Sequence, residues 1–290
     1  MQTFSKFILL LFSVFFCLSM FCQQRLNIVI IVSDDHAFQA IGAYGSKLMQ
    51  TPGIDRIAKE GMVFKKAYVT NSICGPSRAV LLTGKYSHKN GFKDNESSRF
   101  DGAQNTFIKE LGKGGYQTAW IGKWHLETTP QGFTYWQILP GQGHYYNPDF
   151  LMMDGSRKRM EGYVSNVVEE AAEGWLDKRD TSKPFCLVIG HKATHRTWIP
   201  DTTDMGLFDS VTFPLPPNFY DAYENREAAR VQDMSIEKTM QMGYDLKMFE
   251  GEVKDGNITR MSPSQRAKFD AYYKPIQQDL KKMNLSGRAL

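Results

Sequence analysis

The stretch NIVIIVSDDH, residues 27–36, is an aliphatic run that ends in polar residues. A continuous run of β-branched residues is typical of a strand buried on both faces, as in a parallel sheet. We therefore predict a strand over 27–32 with Asp34 and Asp35 at its carboxyl end. An adjacent Asp-Asp pair can simply cap a helix, here one beginning near Ala37. It can also bind a hard cation such as Ca²⁺, which holds two mutually repelling carboxylates in their ionised form.

Two further segments repeat this arrangement of a strand that ends in polar side chains. A strand predicted over 117–121 follows a helix at 106–111 and leads into GKWH, residues 122–125. Another strand, over 185–189, leads into HKATH, residues 191–195. Alternating helices and aliphatic strands predict an α/β fold with a central, mostly parallel sheet and helices on both faces. Because ligands of such sheets bind at the carboxyl ends of the strands, these polar groups are expected to share a site.

Caps and apolar periodicity predict the remaining elements. A helix over 52–60 begins at a Thr-Pro cap and precedes a strand over 62–69. The apolar spacing over 163–176 predicts an amphipathic helix. The S-x-x-Q spacing at 262–265 is that of a capping box and predicts a helix running toward Leu285.

The first 22 residues have the composition of a secretory signal peptide. Lys6 precedes an apolar stretch over 7–21 that is too short for a stable membrane anchor. This segment predicts export to the periplasm or the medium, and a lipoprotein anchored through Cys22 is the alternative. The rest of the chain, 23–290, is long enough for one sizeable domain.

The charge distribution bounds the class of ligand. The chain has 35 Lys and Arg against 31 Asp and Glu, for a net charge of +4, and the basic residues are spread along it without a basic run. This distribution argues against a nucleic-acid partner and is compatible with an anionic substrate.

The run CGPSRAVLLTG, residues 74–84, contains one of the two cysteines that lie beyond the signal segment. Pro76 suits the first turn of a short apolar helix that the final glycine ends, so Cys74 is expected just outside the helix, near Arg78. In an oxidising compartment the pair could form a disulfide. Cys186, however, lies in a predicted buried strand, where a thiol also serves as a small apolar residue.

Two features at the strand ends allow a functional and a structural interpretation. A histidine such as His125 is often only a surface or hydrogen-bonded group, but Lys123 beside it makes an anion-binding pair more attractive. The aromatic and glycine-rich stretch 132–148 fits ordinary core packing or a rigid loop on which a sugar ring stacks. The histidines left as structural or surface residues are His36, His88 and His144.

Four of these motifs resemble those of the type I sulfatases, a family with the alkaline-phosphatase-like fold. CGPSR, residues 74–78, is similar to the family's Cys-x-Pro-Ser-Arg signature, in which the cysteine is oxidised to formylglycine. The Asp-Asp pair, GKWH and HKATH occur in the order that the family uses. The stretches 132–143 and 191–198 look most like bacterial N-acetylglucosamine-6-sulfatases, with Thr194 standing where a proline is commoner.

The resemblance implies both a modification and a metal. A formylglycine-generating or anaerobic sulfatase-maturating enzyme would convert Cys74 to formylglycine, whose hydrated aldehyde attacks the sulfur of a sulfated glycan. Asp34, Asp35 and the modified Cys74 would bind Ca²⁺.

The resemblance also implies roles for other side chains. Arg78 favours the deprotonated form of the attacking oxygen, and Lys123 and His195 neutralise the sulfate and assist the leaving alcohol. His125 is the base that takes the second diol proton, so that the aldehyde reforms and sulfate leaves. The implied substrate-binding residues are Lys192 and Trp198.

The resemblance covers nearly all of 26–290, but two later parts of the family's pattern are not found in the sequence. The family adds a later calcium-binding Asp, followed by Asn, Gln or His, and a further lysine. Asp255-Gly256-Asn257 is not assigned to this role because no aliphatic strand precedes it. We therefore expect 23–290 to be the N-terminal, incomplete part of a sulfatase catalytic domain. Two other functions stay open: a remnant that binds sulfated glycans without turnover, and a phosphoester hydrolase on the same scaffold.

Overall fold

The computed structural model describes residues 25–234, 239–248 and 256–284. The signal peptide predicted over 1–22 and residue Asp255 lie outside these ranges. Among the helices within them, none has the length and apolar character needed to cross a membrane.

The described residues form one six-stranded sheet in the order β1-β6-β2-β3-β4-β5. The neighbours from β1 to β3 pair in parallel, whereas β4 and β5 pair antiparallel at one end. The three strands that were predicted to end in polar residues are β1, β6 and β2, and they lie side by side, so their carboxyl ends meet at one edge. The strands are β1 (Ile28–Val32), β2 (Gln117–Lys123), β3 (Tyr135–Leu139), β4 (Asp149–Met152), β5 (Arg157–Arg159) and β6 (Phe185–Gly190).

Eight helices of the described residues flank or follow this sheet. The predicted helices form within two residues of their expected starts, and Ser262 and Gln265 make the reciprocal hydrogen bonds of a capping box. The helices are α1 (Pro52–Glu60), α2 (Cys74–Thr83), α3 (Ser87–Asn90), α4 (Phe107–Lys113), α5 (Val164–Lys178), α6 (Glu227–Val231), α7 (Gly256–Thr259) and α8 (Pro263–Met283), with short 3₁₀ segments at Phe38–Ala40 and Gly42–Tyr44.

Two hydrophobic layers cover the two faces of the sheet. On one face, Val167 and Val168 of α5 pack with Ile121 of β2. On the other, Leu82 of α2 and Ile108 of α4 belong to a second buried cluster with strand residues. Each such fully buried aliphatic side chain contributes about 1.5–3 kcal/mol. The aromatic stretch 132–148 contributes to both layers. Phe133 and Trp136 are buried in one, and Tyr145 and Tyr146 are buried in the other. The core interpretation of this stretch is therefore the one that the structure supports.

Three sequence predictions differ from the structure. β1 forms as predicted, but it is an edge strand of the described sheet rather than a strand buried on both faces, with Val29 50% and Ile31 56% exposed.

The other two differences concern the segments around α1 and α2. No strand forms over 62–69, where side chains such as Met62 and Tyr68 are 75% and 87% exposed and no neighbouring strand is present among the described residues. Cys74 is the first residue of α2 rather than a residue outside it, because Ile73 is the N-cap. The thiols of Cys74 and Cys186 are free, so the disulfide alternative is not the state of this structure.

Candidate active site

The loops after β1 and β6 are fastened together at the carboxyl edge of the sheet. The Asp34 amide donates to the Ala193 carbonyl at 3.0 Å, and the Thr194 amide donates to the Asp34 carbonyl at 2.7 Å. These main-chain bonds extend the pairing of the two strands beyond their ends. They bring the HKATH segment beside the Asp-Asp pair, as the sequence predicts.

Asp34 lies at the centre of a buried group of charges. It accepts a hydrogen bond from Lys123 Nζ, and its Oδ1 lies 3.8 Å from Arg78 Nη2. All three side chains are buried. Burial opposes the ionisation of Asp34, but Lys123 and Arg78 outweigh it and hold the pKa of this carboxyl below its usual value. Asp34 is therefore a carboxylate at neutral pH.

Cys74 faces this carboxylate from the first turn of α2. One ligand atom each from Asp34, Cys74 and His195 lie within 4.8 Å of one another. Cys74 also lines a cavity of about 380 Å³, together with Asp35 and Arg78. The cysteine that the signature singles out thus opens into the same space as the Asp-Asp pair.

Gly75 allows the first turn of α2 to approach the rest of the site. A Cβ at this position would lie 2.5 Å from the Phe92 ring, 2.8 Å from Asn95 Oδ1 and 2.8 Å from the His125 carbonyl oxygen. The Gly75 amide donates to Asn95 Oδ1 at 2.9 Å, which satisfies one of the free amides of the helix amino terminus. The glycine between Cys74 and Pro76 is therefore a packing requirement.

His195 and Asp35 form the more exposed side of the site. His195 Nε2 lies 3.8 Å from Asp35 Oδ2, and the Asp35 side chain is 54% exposed. Burial lowers the pKa of His195, and the positive charges of Lys123 and Lys192 lower it further. Asp35 is not in the close cluster that Asp34 forms with Cys74 and His195, although it lines the same cavity.

His125 is buried in the loop after β2, two residues beyond Lys123, which ends the strand. Burial, together with the charges of Lys123 and Arg78, lowers its pKa from 6.5 to about 4. Its Nδ1 has no hydrogen-bond partner among the described residues. At neutral pH His125 is therefore an uncharged imidazole with an available ring nitrogen, which is the form that can accept a proton.

Lys192 and Trp198, the predicted substrate-binding residues, differ in their environment. Lys192 is buried, with Nζ 4.8 Å from the centre of the Tyr145 ring and 3.2 Å from the Gln142 carbonyl oxygen. Trp198 is 47% exposed and lies three residues after His195, to whose carbonyl its amide donates at 3.1 Å. The structure thus places Lys192 with the buried cations and Trp198 on the adjoining surface.

Sequence reasoning missed three residues that support the site. Gln142, in the turn after β3, accepts a hydrogen bond from Lys123 Nζ. Buried Asp245 binds the Arg196 guanidinium, with Nη2 at 2.9 Å from Oδ2, and buried Lys247 donates to the Thr197 carbonyl. The glycine-rich turn that contains Gln142 was a signal by which this residue could have been found. The other two lie in a segment without helical or strand periodicity.

Together, the fold and the site define an α/β protein with a charged ligand site at the carboxyl ends of its parallel strands. The buried carboxylate of Asp34 lies beside Cys74 and is shared by two buried cations, Arg78 and Lys123. A third buried cation, Lys192, lies in the loop after β6. The surplus of buried positive charge suits an anionic ligand, and the carboxylate suits a cation beside it.

The chain belongs to the sulfatase family, whose family model matches residues 26–279. It is 46% identical over 279 residues to an N-acetylglucosamine-6-O-sulfatase of Bacteroides thetaiotaomicron, a match that covers 92% of this chain and 50% of the relative. It is 31% identical over 219 residues to a human N-acetylglucosamine-6-sulfatase, covering 68% of this chain and 39% of that protein. The family prediction from the four motifs is confirmed.

A solved structure supports the same assignment of the fold. The structure of BT4656 in complex with its substrate D-glucosamine-2-N,6-O-disulfate superimposes with a TM-score of 0.87 at 44% identity, and the match covers 92% of this chain and 56% of that one. The predicted α/β fold is thereby confirmed. The chain spans about half the length of the relatives that it matches most fully.

Proposed function

We propose that the protein hydrolyses sulfate esters of glycans through a formylglycine made from Cys74. The observation that carries this proposal is the surplus of buried cations at this edge of the sheet. Arg78 and Lys123 share the carboxylate of Asp34, which lies beside Cys74, and Lys192 is buried in the loop after β6. A sulfate group would supply the missing negative charge, and its oxygens would accept hydrogen bonds from the cations.

The donor set fits an oxygen-preferring metal in part. Asp34 is ionised and buried, and it shares the cavity with Asp35 and Cys74. Ca²⁺ takes six to eight oxygen ligands, so these residues would hold one side of its coordination shell. Bound there, Ca²⁺ would polarise the sulfate oxygens and favour the deprotonated form of the attacking hydroxyl.

The position of Cys74 fits the proposed modification, which supplies a hydrated aldehyde as the attacking group. The thiol is free and half-buried at the start of α2. Arg78, one helical turn further on, donates to the Lys123 carbonyl at 3.2 Å and is thereby held beside the site. A formylglycine-generating or anaerobic sulfatase-maturating enzyme is the proposed partner for this conversion.

The remaining side chains divide the other tasks. Lys123 and Lys192 bind and orient the sulfate, and His195, at the open side of the site, assists the leaving alcohol. Buried His125 accepts a proton in its neutral form, since its pKa of about 4 keeps it uncharged at neutral pH. Trp198, exposed beside His195, is the proposed surface for the sugar ring.

The proposed substrate is 6-O-sulfated N-acetylglucosamine or glucosamine within a sulfated glycan. The identity of 46% with a bacterial N-acetylglucosamine-6-O-sulfatase supports this choice over other sulfated sugars. Export through the amino-terminal signal segment is part of the proposal, because such glycans lie outside the cytoplasm.

Sulfate release from N-acetylglucosamine-6-sulfate by the protein purified from its own source tests the proposal. We expect calcium-dependent release that is abolished in Cys74→Ala, because the alanine side chain carries no thiol or hydroxyl from which the aldehyde can be made. Binding of the sulfated sugar without any release would instead indicate a non-catalytic remnant. Phosphate-ester hydrolysis that survives in Cys74→Ala would indicate a phosphoester hydrolase.

A further inference from the structure

We propose that Gln142 is a positioning residue that fixes the ammonium groups of two buried lysines, Lys123 and Lys192, in the sulfate site. This role rests on the proposed sulfatase function. The side chain and the main chain of Gln142 act on different lysines. Oε1 accepts from Lys123 Nζ, and the carbonyl oxygen accepts from Lys192 Nζ at 3.2 Å. One residue in the turn after β3 thereby links the end of β2 to the loop after β6.

The turn that carries Gln142 has a defined shape. The Gly143 amide donates to the Pro140 carbonyl at 3.0 Å, and both flanking glycines have positive φ, 52° at Gly141 and 68° at Gly143. A Cβ at Gly143 would lie 2.9 Å from Leu139 Cδ1. Glycine adopts this left-handed region at little cost, and at Gly143 it also lets the turn pack against Leu139 of the strand.

Two contacts fix the direction of the Lys123 ammonium. This group has three N–H donors, and in the described residues it contacts Asp34 on one side and Gln142 on the other. The arrangement leaves one donor for a ligand oxygen. Because Lys123 is fully buried, a displaced ammonium group would find few replacement partners.

The chemistry of glutamine matters as much as its position. An amide oxygen accepts a hydrogen bond without adding charge, so Gln142 orients Lys123 and leaves the site with its surplus of positive charge. A glutamate at the same position would have the same shape but would neutralise one cation. We therefore infer that a neutral acceptor is required at this position for anion binding.

The test compares Gln142→Glu and Gln142→Ala with Gln117→Ala in the protein purified with its modification intact. Gln117 is a matched control because its amide also bridges two segments, to the Asp180 carbonyl at 2.7 Å, but at the opposite end of β2. The measurements are the KM and kcat for N-acetylglucosamine-6-sulfate, the inhibition constant of inorganic sulfate, and the melting temperature.

We expect Gln142→Glu to raise both KM and the sulfate inhibition constant roughly tenfold or more, while the melting temperature stays level or rises. Gln142→Ala should raise both constants by a similar factor, and Gln117→Ala should change neither. A merely structural role predicts a lower melting temperature with an unchanged inhibition constant. If the wild type is active and Gln142→Glu binds sulfate as tightly as the control, the positioning role is wrong and the sulfatase function stands. A wild type that releases no sulfate overturns the proposed function and this role with it.

Discussion

The Lys123 ammonium group donates a hydrogen bond to Oδ2 of Asp34, although 89 positions separate the two residues in the chain. The contact joins the end of β2 to the end of β1 across the intervening β6. The pair therefore exists only once all three parallel strands are in register. The same sheet order that builds the core also assembles the charged centre of the site.

Replacing Asp34 by asparagine is expected to destabilise the protein. The variant leaves Lys123 and Arg78 buried without their shared carboxylate, which costs about 3 kcal/mol in the free energy of unfolding. Asp35→Asn is the matched control, because the Asp35 side chain is 54% exposed and should cost less than about 1 kcal/mol. Urea unfolding of both variants measures the difference. Equal stabilities would contradict the central position given to Asp34.

Gly75→Ala is expected to displace the cysteine. A Cβ at Gly75 would press on Phe92, Asn95 and the His125 carbonyl, so the first turn of α2 must shift, at a cost of about 1–3 kcal/mol. Gly53→Ala serves as the control, because a Cβ at Gly53 on α1 meets nothing within 4 Å. The melting temperature and the rate of sulfate release report the two effects. The prediction fails if both variants behave like the wild type.

Asp245→Ala should loosen the loop that carries Lys192 and His195. The buried Asp245 carboxylate holds the Arg196 guanidinium, and the variant removes this anchor from the loop. We expect faster amide hydrogen exchange over 191–198 and weaker sulfate binding. Asp279→Ala, which removes an exposed ion pair with Lys282, should leave both unchanged. Unchanged exchange in Asp245→Ala would show that this carboxylate does not brace the loop.

His125 should make the folded protein sensitive to acid. Its pKa is about 4 in the folded state against a usual value of 6.5, so between these values the unfolded chain binds the additional proton. Stability is therefore complete above about pH 6.5 and falls, by at most about 1.4 kcal/mol per pH unit, as the pH drops toward 4. His125→Gln cannot titrate and should lose less stability between about pH 7.5 and about pH 5. The same slope in both proteins would show that His125 is not the group responsible.

The parts of the fold that sequence predicts are those with strong local patterns. β1, β2 and β6 are aliphatic runs that each end in polar residues. β2 and β6 are buried, whereas β1 is an edge strand of the described sheet that leaves Val29 and Ile31 exposed. The sequence also predicts α5 and the start of α8, from apolar periodicity and from the capping box. The stretch 62–69 is also rich in apolar residues, but it has no neighbouring strand among the described residues to pair with. It therefore forms no strand, and its side chains stay exposed. β3 was not predicted, because its aromatic residues lie within a stretch that fits core packing and loop equally well.

The site shows the same division between local and distant information. Cys74, Lys123 and His195 could be proposed because each lies in a recognisable motif. Gln142 and Asp245 could not, because their importance comes only from the lysine and arginine that the fold brings to them. The choice between pairing Cys74 with Cys186 and keeping both thiols free also depended on the fold, since Cys186 is enclosed in the core of the sheet.

The modification of Cys74 can be measured by mass spectrometry of the tryptic peptide from Ala67 to Arg78, prepared from protein purified from its native source. We expect a population in which the Cys74 thiol has been replaced by an aldehyde, seen as the corresponding loss of mass and as reactivity with a hydrazide probe. Arg78 marks the end of the peptide, so the modified position lies inside it. An unmodified cysteine in every molecule would contradict the account.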